Sequence, residues 1–344
     1  MEEFIKRYSG NNTYSFLKTN EYLSSDDLLV VATGEPINLI NSEKKSYNTL
    51  INLKRINNIK DVDEFFRTAN RVLTQNGLFI GCAEIMGQRK IRILRKYPFP
   101  FNLVYFFLDY ILKRVFPKMK MTRWFYLWIT DDRNRVMSQP EIMGRLYYAG
   151  FKEEERHDID GKVYFIYRKV KEPITDCKPS YGPWLKAKRI GLNGKEITVY
   201  KFRTMVPYSE FIQGYVYEHN RLKEGGKFNC DFRITRLGSI MRKIWLDELP
   251  TIWNLIKGEV KLVGVRPLSP QYLSLYDKDL QELRATVKPG LLPPFYADMP
   301  KTLEEIMESE RRYLKQYKLH PIKTNFRYFF RILKNIMFLR KRSA

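Results

Sequence analysis

Two adjacent carboxylates, Asp247 and Glu248, have the residue types that chemistry on a phosphorylated substrate requires. A deprotonated aspartate can attack phosphorus, and a neighbouring carboxylate can hold a divalent cation. Guanidinium groups bind phosphate oxygens in pairs, because their planar fork matches the oxygen geometry. Cations of this kind surround the pair in the sequence: Arg233, Arg236, Arg242, Lys257, Lys261 and Arg266. The spacing therefore indicates a site for a phosphorylated ligand.

A purely structural role for the pair stays open. An aspartate at the start of a helix most often caps it, and for an isolated acidic pair capping is the commoner role. Arg233 and Arg236 could pair with Asp231 and Glu248. The arginines on both sides of the pair favour the site over the cap.

The elements that must position the pair are a helix and a strand. Pro250 suits a first helical turn and Gly258 suits the position after a helix end, which predicts one helix over 247–257. Asp247 would then lie at the helix N-terminus, where the dipole favours the deprotonated carboxylate. Lys201 and Arg203 lie on an alternating strand at 197–203, whose exposed face is either solvated or a binding face.

Several ordered motifs carry a family resemblance. They are K-F-R-T-M at 201–205, R-I-T-R-L-G at 233–238, L-D-E-L-P at 246–250, W-N-L-I-K-G at 253–258, L-V-G-V-R-P-L at 262–268 and K-P-G at 288–290. Over about residues 181–292 the chain resembles the bacterial sugar transferase family, the monotopic polyprenyl-phosphate phosphoglycosyl transferases. The resemblance implies a mixed α/β catalytic domain.

The resemblance also implies a reaction. Such enzymes move a sugar-1-phosphate from a UDP-sugar to a polyprenyl phosphate such as undecaprenyl phosphate, release UMP and require Mg²⁺. They start polysaccharide, capsule or glycoconjugate synthesis at the cytoplasmic face of the inner membrane. By this likeness Asp247 is the nucleophile and Glu248 is catalytic and the metal ligand. The residues expected to bind substrate are Lys201, Arg203, Arg236, Arg242 and Arg266.

The N-terminal half shows a different pattern. A strand at 47–53, a helix capped by Asp61 and ended by Asn76-Gly77, and a strand at 78–83 are followed by a helix capped by Ser138 and a hairpin at 151–169 that turns at Asp160-Gly161. Over about 47–170 this order resembles the second half of a class I methyltransferase fold, which is partly Rossmann-like. The glycine-rich cofactor turn is absent, so we expect a scaffold without a cofactor site.

Composition limits the class of protein and its location. The formal net charge is +23 and 15% of the residues are aromatic. Such a charge attracts nucleic acid, anionic lipid or a nucleotide substrate. Cys82, Cys177 and Cys230 have no paired spacing, which favours a reduced, cytosol-facing protein. The N-terminus has no signal-peptide core, and no stretch reaches the roughly 20 apolar residues of a spanning helix.

The predicted organisation is a degenerate methyltransferase-like domain at 1–170, a linker at 171–181 and a sugar transferase domain at 182–344. We expect a peripheral or monotopic protein, held at an anionic membrane surface by one of two segments. One is the aromatic and basic stretch 97–129, and the other is the amphipathic C-terminal helix. The residues of that helix expected to meet lipid are Phe326, Phe330, Leu333 and Met337.

Three other interpretations remain. Ile244, Trp245 and Val265 depart from the family pattern, and they favour a non-catalytic assembly protein at the membrane surface. Binding to nucleic acid would explain the charge, but we find no recognised module and expect no nucleic-acid partner. A methyltransferase is the weakest alternative, because the cofactor turn is missing.

Overall fold

The computed structural model describes residues 1–42, 46–177, 179–220 and 231–339. Within these ranges the side chains of 220, 271 and 337–339 are not described, so Cys230 and the side chain of Met337 lie outside the described part. The chain forms two units. Unit 1 comprises Met1–Gly182 and Val206–Gln213, and unit 2 comprises Pro183–Met205 and Gly214–Ala344.

Unit 1 has a mixed α/β fold. Its helices and strands are α1 (Glu2–Ser9), α2 (Asn11–Thr19), β1 (Leu28–Val31), α3 (Ile37–Ile40), β2 (Tyr47–Arg55), α4 (Val62–Val72), β3 (Leu73–Ala83), α5 (Met86–Lys96), α6 (Phe101–Tyr110), α7 (Arg123–Thr130), α8 (Gln139–Tyr148), β4 (Phe151–Ile159) and β5 (Lys162–Lys169). Shorter 3₁₀ or π turns lie at Ile56–Asn58, Ile111–Val115, Phe116–Lys118 and Ser209–Ile212.

The sheet of unit 1 has the strand order β1-β2-β3-β5-β4. Strands β1, β2 and β3 are parallel, whereas β5 pairs antiparallel with both β3 and β4. Because neighbouring side chains of a strand point to opposite faces, Leu50 and Phe79 contribute to one core. Ile51 and Ile80, one residue further along, contribute to the core on the other face. The likeness to a methyltransferase half stays a prediction.

Local signals in unit 1 are largely confirmed. The Asp61 side chain accepts a hydrogen bond from the Glu64 backbone N–H at 3.0 Å and begins α4. The β4–β5 hairpin turns at Asp160 and Gly161, whose φ angles are 49° and 72°. Both residues have left-handed backbone, as a two-residue turn between twisted strands requires.

Two details of the same region were predicted wrongly. Helix α4 ends at Val72, so Asn76-Gly77 lies inside β3 and does not end the helix. Asn76 has a φ of 64°, and its neighbourhood shifts the register of the β2–β3 pairing. Ser138 precedes α8 but makes no side-chain cap; its hydroxyl accepts a hydrogen bond from Arg114 Nη2 at 3.4 Å.

Unit 2 is also mixed α/β. Its elements are β6 (Trp184–Ile190), β7 (Glu196–Phe202), α9 (Gln213–Asn220), α10 (Arg236–Lys243), α11 (Ile252–Ile256), β8 (Lys261–Val263), α12 (Pro270–Leu273), α13 (Lys278–Ala285), β9 (Gly290–Leu292), α14 (Phe295–Asp298), α15 (Leu303–Leu319) and α16 (Pro321–Leu339). Strands β6 and β7 form an antiparallel hairpin, and β8 pairs parallel with β9. The core packs α15 and α16 through Tyr313, Tyr328 and Ile332.

The single helix predicted over 247–257 is wrong in form. A 3₁₀ turn at Leu246–Thr251 leads into α11, which has only five residues. Gly258 has a φ of 70° and follows the helix end, as its position in the sequence indicated. Among the described residues, no helix has the length and apolar character needed to cross a membrane.

Candidate functional site

The β6–β7 hairpin supplies the first cation of the site. Leu185 pairs with Lys201 and Arg189 pairs with Ile197, so Arg189 and Lys201 point to the same face of the hairpin. Lys201 Nζ donates a hydrogen bond to Glu248 Oε1 at 2.5 Å. Both side chains are half-buried. The strand therefore holds a lysine directly against one of the two carboxylates.

Asn254 fixes the acidic segment to this hairpin. Its buried amide donates to the Thr198 carbonyl at 2.7 Å, and its side-chain oxygen accepts from the Tyr200 backbone N–H at 3.2 Å. The Thr251 hydroxyl donates to the Tyr200 carbonyl at 2.9 Å. These bonds satisfy buried polar groups along the free edge of β7. They set the position of the 3₁₀ turn that carries Asp247 and Glu248.

A close backbone approach places α10 beside the same turn. The Thr204 carbonyl accepts from the Thr235 backbone N–H at 2.9 Å, and Thr235 caps α10 by accepting from Gly238. A Cβ atom on Gly238 would overlap the Thr204 carbonyl, so only glycine fits there. Arg242, at the end of α10, donates from Nε to the Thr204 hydroxyl at 2.9 Å.

Trp245 turns the chain into the acidic pair. It has a φ of 58°, a left-handed conformation that is uncommon for a residue other than glycine. Its ring lies 5.1 Å from that of Tyr296, measured between centroids. The Glu248 backbone N–H donates back to the Trp245 carbonyl at 3.2 Å. The turn is therefore held by side-chain packing as well as by hydrogen bonds.

The electrostatics of Asp247 differ from the expectation. Burial raises the pKa of its carboxyl above the ordinary range, and the adjacent charge of Glu248 raises that pKa further. Lys201 and Arg242 lower the pKa but do not reverse the shift. The helix dipole was expected to favour the deprotonated form, but Asp247 lies in a 3₁₀ turn instead of at the N-terminus of a long helix.

A cavity of about 480 Å³ lies beside Glu248. This size is typical of small-ligand sites. Lys201, Glu248 and Arg266 line it, so three of the predicted site residues are brought together. The remaining lining is largely apolar or aromatic and includes Val199, Leu268, Tyr272, Tyr276, Phe295 and Tyr296. A lining that contains both cations and aromatic rings suits a ligand with both phosphate groups and a ring.

Arg189 also lines the cavity, although the sequence motifs did not indicate it as a site residue. Burial lowers the pKa of its guanidinium, and the charge of Arg266 lowers that pKa further. Across the described residues neither Arg189 nor Arg266 has a carboxylate within ion-pair distance. Two guanidinium groups that repel each other and have no carboxylate at ion-pair distance are suited to bind an anion. The turn at 191–195 could have revealed Arg189, since the register it sets places Arg189 on the face of Lys201.

The other predicted residues lie outside the cavity lining. Asp247 and Arg242 are half-buried and interact electrostatically. The charge of Asp247 raises the pKa of Arg242, and the charge of Arg242 lowers the pKa of Asp247. Arg203 is half-buried, and Arg236 is exposed at the first turn of α10. Arg233 forms a buried ion pair with Asp231 at 2.7 Å. The pairing of Arg236 with Glu248 is wrong, since Lys201 takes that partner.

Arg284 supports the loop that carries Arg266. Its buried guanidinium donates from Nη2 to the Arg266 carbonyl at 2.5 Å and pairs through Nη1 with Glu310. Glu310 and Tyr276 both line the cavity. The Tyr276 hydroxyl is buried and has no hydrogen-bond partner in the described part of the chain. It is thus a buried polar group whose hydrogen-bonding capacity the described chain does not use.

The donor set at the acidic pair fits a magnesium ion. Mg²⁺ prefers oxygen ligands and is usually held by one or two carboxylates together with water and substrate phosphates. Asp247 and Glu248 provide two such carboxylates, and one oxygen of Glu248 contacts Lys201. No cluster of three or more acidic, histidine or cysteine side chains suited to a metal occurs among the described residues.

The C-terminal helix α16 exposes part of its apolar surface. Phe326, Phe330 and Leu333 are exposed, and the first two rings stack with centroids 6.4 Å apart. Tyr328 and Ile332 are buried in the unit 2 core.

Comparison with known proteins places these residues in context. Residues 177–337 match the family model described as "Bacterial sugar transferase". The uncharacterized sugar transferase EpsL of Bacillus subtilis is 40% identical over 108 residues, which are 31% of this chain and 47% of that protein. The exopolysaccharide production protein ExoY of Sinorhizobium fredii is 38% identical over 109 residues, which are 30% of this chain and 48% of that protein.

A third relative carries a substrate in its name. The UDP-N-acetylgalactosamine-undecaprenyl-phosphate N-acetylgalactosaminephosphotransferase of Aeromonas hydrophila is 30% identical over 141 residues, which are 38% of this chain and 30% of that protein. The chain thus spans about half or less of the length of the curated relatives it matches. All three matches are shorter than half of this chain.

Proposed function

We propose a phosphoglycosyl transfer reaction for this chain, on the premise that residues 177–337 belong to the bacterial sugar transferase family. The donor is a UDP-sugar and the acceptor is a polyprenyl phosphate such as undecaprenyl phosphate. The observation that carries the proposal is the cavity in which Arg189 and Arg266, both without a carboxylate partner in the described chain, lie with Lys201 and Glu248. Unpaired guanidinium groups favour a diphosphate.

The proposed reaction has two steps. An oxygen of Asp247 attacks the β-phosphorus of the UDP-sugar and forms a new P–O bond. The bond from that phosphorus to the bridging oxygen breaks, and UMP leaves with the bonding electrons. An oxygen of the lipid phosphate then attacks the same phosphorus. The aspartate carboxylate is released and the product is a polyprenyl diphosphate sugar.

Each step brings an anion against an anion, so cations must offset the charge. We propose that Arg189, Arg266 and Lys201 hold the diphosphate, while Arg242 acts beside Asp247. Arg203 and Arg236 stay predicted substrate contacts. Tyr276, through its unpartnered hydroxyl, donates to a polar group of the donor.

We also propose a magnesium ion held by Glu248. When bound it would withdraw negative charge from the phosphate oxygens. The arginines and the lysine of the site would still bind and orient the diphosphate and offset its negative charge. A lipid acceptor further requires contact with a membrane, and we propose the cytoplasmic face of the inner membrane. Phe326, Phe330, Leu333 and Met337 of α16 are one candidate for that contact.

The test is UMP release from a panel of UDP-sugars with Mg²⁺ and undecaprenyl phosphate in detergent. We expect release that requires the lipid and falls at least about a thousandfold in Asp247→Asn, because nucleophile removal costs on this order. Near-normal turnover in that variant, with the fold intact, would refute the covalent step. The UDP-sugar in the panel that yields UMP identifies the sugar, which is unassigned.

A second candidate function rests on a specific observation. Asp247 does not line the cavity that Glu248, Lys201 and Arg266 share. A protein that binds the nucleotide-sugar without transferring it, and assists assembly at the membrane surface, fits this arrangement. It predicts binding of UDP-sugar by calorimetry together with no UMP release from any member of the panel.

A further inference from the structure

Large apolar side chains are exposed along residues 99–129 of unit 1, which include α6, α7 and the turns between them. We call this set of side chains the aromatic surface. Phe99, Phe107 and Trp128 are exposed by 77%, 62% and 77%. Other large apolar side chains exposed in the same stretch are Phe101, Leu103, Val104, Tyr105, Leu108, Met119, Met121, Trp124, Leu127 and Ile129. An exposed apolar surface of this extent marks contact with another molecule or a membrane.

The polarity of α6 and of the π turn that follows it is inverted. The residue of α6 that is buried is Asp109, and the one buried in the following π turn is Arg114. Arg89 donates to Asp109 through Nε at 2.6 Å and through Nη2 at 2.8 Å, and Arg114 pairs with Glu141. A surface helix in water buries its apolar side and exposes its charges. In α6 and the π turn the buried charges form ion pairs within unit 1 and apolar side chains face outward, whereas α7 buries Tyr126 and exposes Trp124 and Trp128.

The charges within residues 86–130 are almost all positive, and the exposed Asp131 follows at the end of α7. Residues 86–130 contain ten Lys and Arg residues and a single acidic residue, the buried Asp109. The exposed cations are Lys90, Arg92, Arg95, Lys96, Lys120 and Arg123. Apolar side chains bordered by cations are the pattern that binds an anionic lipid interface, since the rings enter the headgroup region and the cations meet the phosphates.

We propose that the aromatic surface seats unit 1 on an anionic lipid bilayer. A second copy of the chain would bring one cationic border against another, which opposes a symmetric contact. Nucleic acid would use the cations but gives no reason to expose aliphatic side chains such as Leu103, Val104 and Leu108. The inference rests on the proposed function only in that a lipid acceptor requires membrane contact; the surface itself lies outside residues 177–337.

The experiment compares two matched pairs of substitutions in the full-length chain. Trp124→Ser with Trp128→Ser removes two exposed rings from α7, and Ile37→Ser with Ile40→Ser removes two exposed apolar side chains from α3 of the same unit. Binding is measured by co-sedimentation with phosphatidylcholine vesicles, with and without phosphatidylglycerol. We expect wild-type chain to prefer the anionic vesicles and the tryptophan pair to weaken that binding at least roughly tenfold.

The isoleucine pair should bind as wild type does. Unchanged binding in the tryptophan pair would overturn the proposal, and so would a shift from dimer to monomer with vesicle binding intact, which would identify a second copy as the occupant. Tighter binding to random oligonucleotides than to anionic vesicles would also overturn it. Wild-type thermal unfolding in both pairs shows that the fold is kept.

A second measurement does not depend on removing apolar side chains. Trp124→Phe with Trp128→Phe keeps the surface apolar, so we expect it to bind vesicles. Brominated lipids should quench tryptophan fluorescence of the wild type and quench this variant much less. Equal quenching in both would contradict insertion of α7. If the wild-type chain binds vesicles normally but releases no UMP, the proposed transfer reaction is refuted and the proposed membrane contact is not.

Discussion

Arginines of unit 1 and arginines of the cavity in unit 2 differ in their partners. Arg145 of α8 is buried and donates from Nη1 to Asp63 at 2.6 Å and to the Tyr208 hydroxyl at 3.2 Å. Its guanidinium also lies 4.3 Å from the centre of the Tyr208 ring. Arg189 and Arg266 in unit 2 have no carboxylate partner in the described chain, and they repel each other.

The difference separates a structural arginine from a binding arginine. The buried pairs lower the pKa of Glu141 to about 2 and raise that of Arg145, since each charge is stabilised by its neighbours. In the cavity burial lowers the pKa of Arg189, and the charge of Arg266 lowers it further. Arginines without a carboxylate at ion-pair distance in the described chain, such as Arg189 and Arg266, thus indicate a site for an anion.

The largest effect on stability is expected for Arg145→Met. Removing one partner of a buried ion pair leaves Asp63 with an uncompensated charge, which costs about 3–5 kcal/mol in the free energy of unfolding. Urea denaturation measures this loss. Asp63→Asn added to the variant should recover part of it, because the remaining charge is removed.

Arg71→Met is the matched control, since Arg71 pairs with Glu64 at 3.4 Å on the exposed surface of α4. Exposed ion pairs contribute about 0–1 kcal/mol, so its midpoint should change little. Equal losses in the two variants would contradict the distinction between buried and exposed pairs.

The second effect concerns the cavity. Arg189→Met should weaken UDP-sugar binding by roughly 1.5–3 kcal/mol, the usual cost of losing a hydrogen bond to a charged group, which is about a tenfold to hundredfold rise in Kd. Calorimetry with UDP-sugar measures it. The fold should not be destabilised, because no ion pair is broken and a repulsion is removed.

Arg168→Met tests whether loss of any arginine has this effect, because Arg168 pairs with Glu154 in the exposed β4–β5 hairpin. It should leave the Kd for UDP-sugar unchanged. A large loss of stability in Arg189→Met, with binding retained, would place Arg189 among the structural arginines.

Sequence patterns predicted the elements that local chemistry determines. Asp61 begins a helix because its side chain accepts the Glu64 N–H, and Asp160-Gly161 turns a hairpin because both adopt left-handed backbone. Such signals lie within four residues of one another. The ordered motifs likewise indicated the Lys201, Glu248 and Arg266 cluster, because a family pattern records positions that the fold brings together.

Features that the sequence did not predict depend on contacts between residues that are distant in the chain. The 3₁₀ turn at Leu246–Thr251 is held by bonds from Thr251 and Asn254 to β7, which no local propensity contains. The raised pKa of Asp247 follows from burial, which periodicity does not measure. The inclusion of Val206–Gln213 in unit 1 depends on packing of Tyr208 against Arg145 across more than sixty residues of chain.

The third effect is a shift in pH dependence. Arg242 lowers the pKa of Asp247, so Arg242→Gln should raise that pKa further. A nucleophile must be deprotonated, and activity is lost as the pH falls through its pKa. The acid limb of the kcat/KM profile should therefore move to higher pH in the variant.

Arg236→Gln is the control for this shift. Arg236 is not among the groups that perturb Asp247, so its variant should keep the acid limb at the wild-type pH even if KM rises. An acid limb that moves equally in both variants would show that a general loss of positive charge, and not the neighbouring guanidinium, sets the pKa of Asp247.

The smallest expected effect concerns Lys261, and it distinguishes this lysine from the unpaired arginines of the cavity. Lys261 has no hydrogen-bond partner for its amine in the described chain and lies 3.2 Å from the centre of the Tyr317 ring, yet it does not line the cavity. Burial lowers its pKa from 10.5 to about 8. Because the unfolded chain holds this proton more tightly, the charge opposes folding below about pH 8 and the penalty fades as the pH rises towards 10.5.

Lys261→Met should therefore unfold at a slightly higher temperature than wild type near neutral pH, and the difference should shrink as the pH rises through that window. Lys261 is only half-buried, and the Tyr317 ring favours its charged amine. Both features reduce the expected difference in Tm. Thermal unfolding followed by circular dichroism across this range measures it. A difference in Tm that stays constant with pH would mean that packing of the side chain, and not its charge, separates the two proteins. UDP-sugar binding should be unchanged in this variant, which distinguishes an unpaired cation buried for structural reasons from the unpaired cations of the cavity.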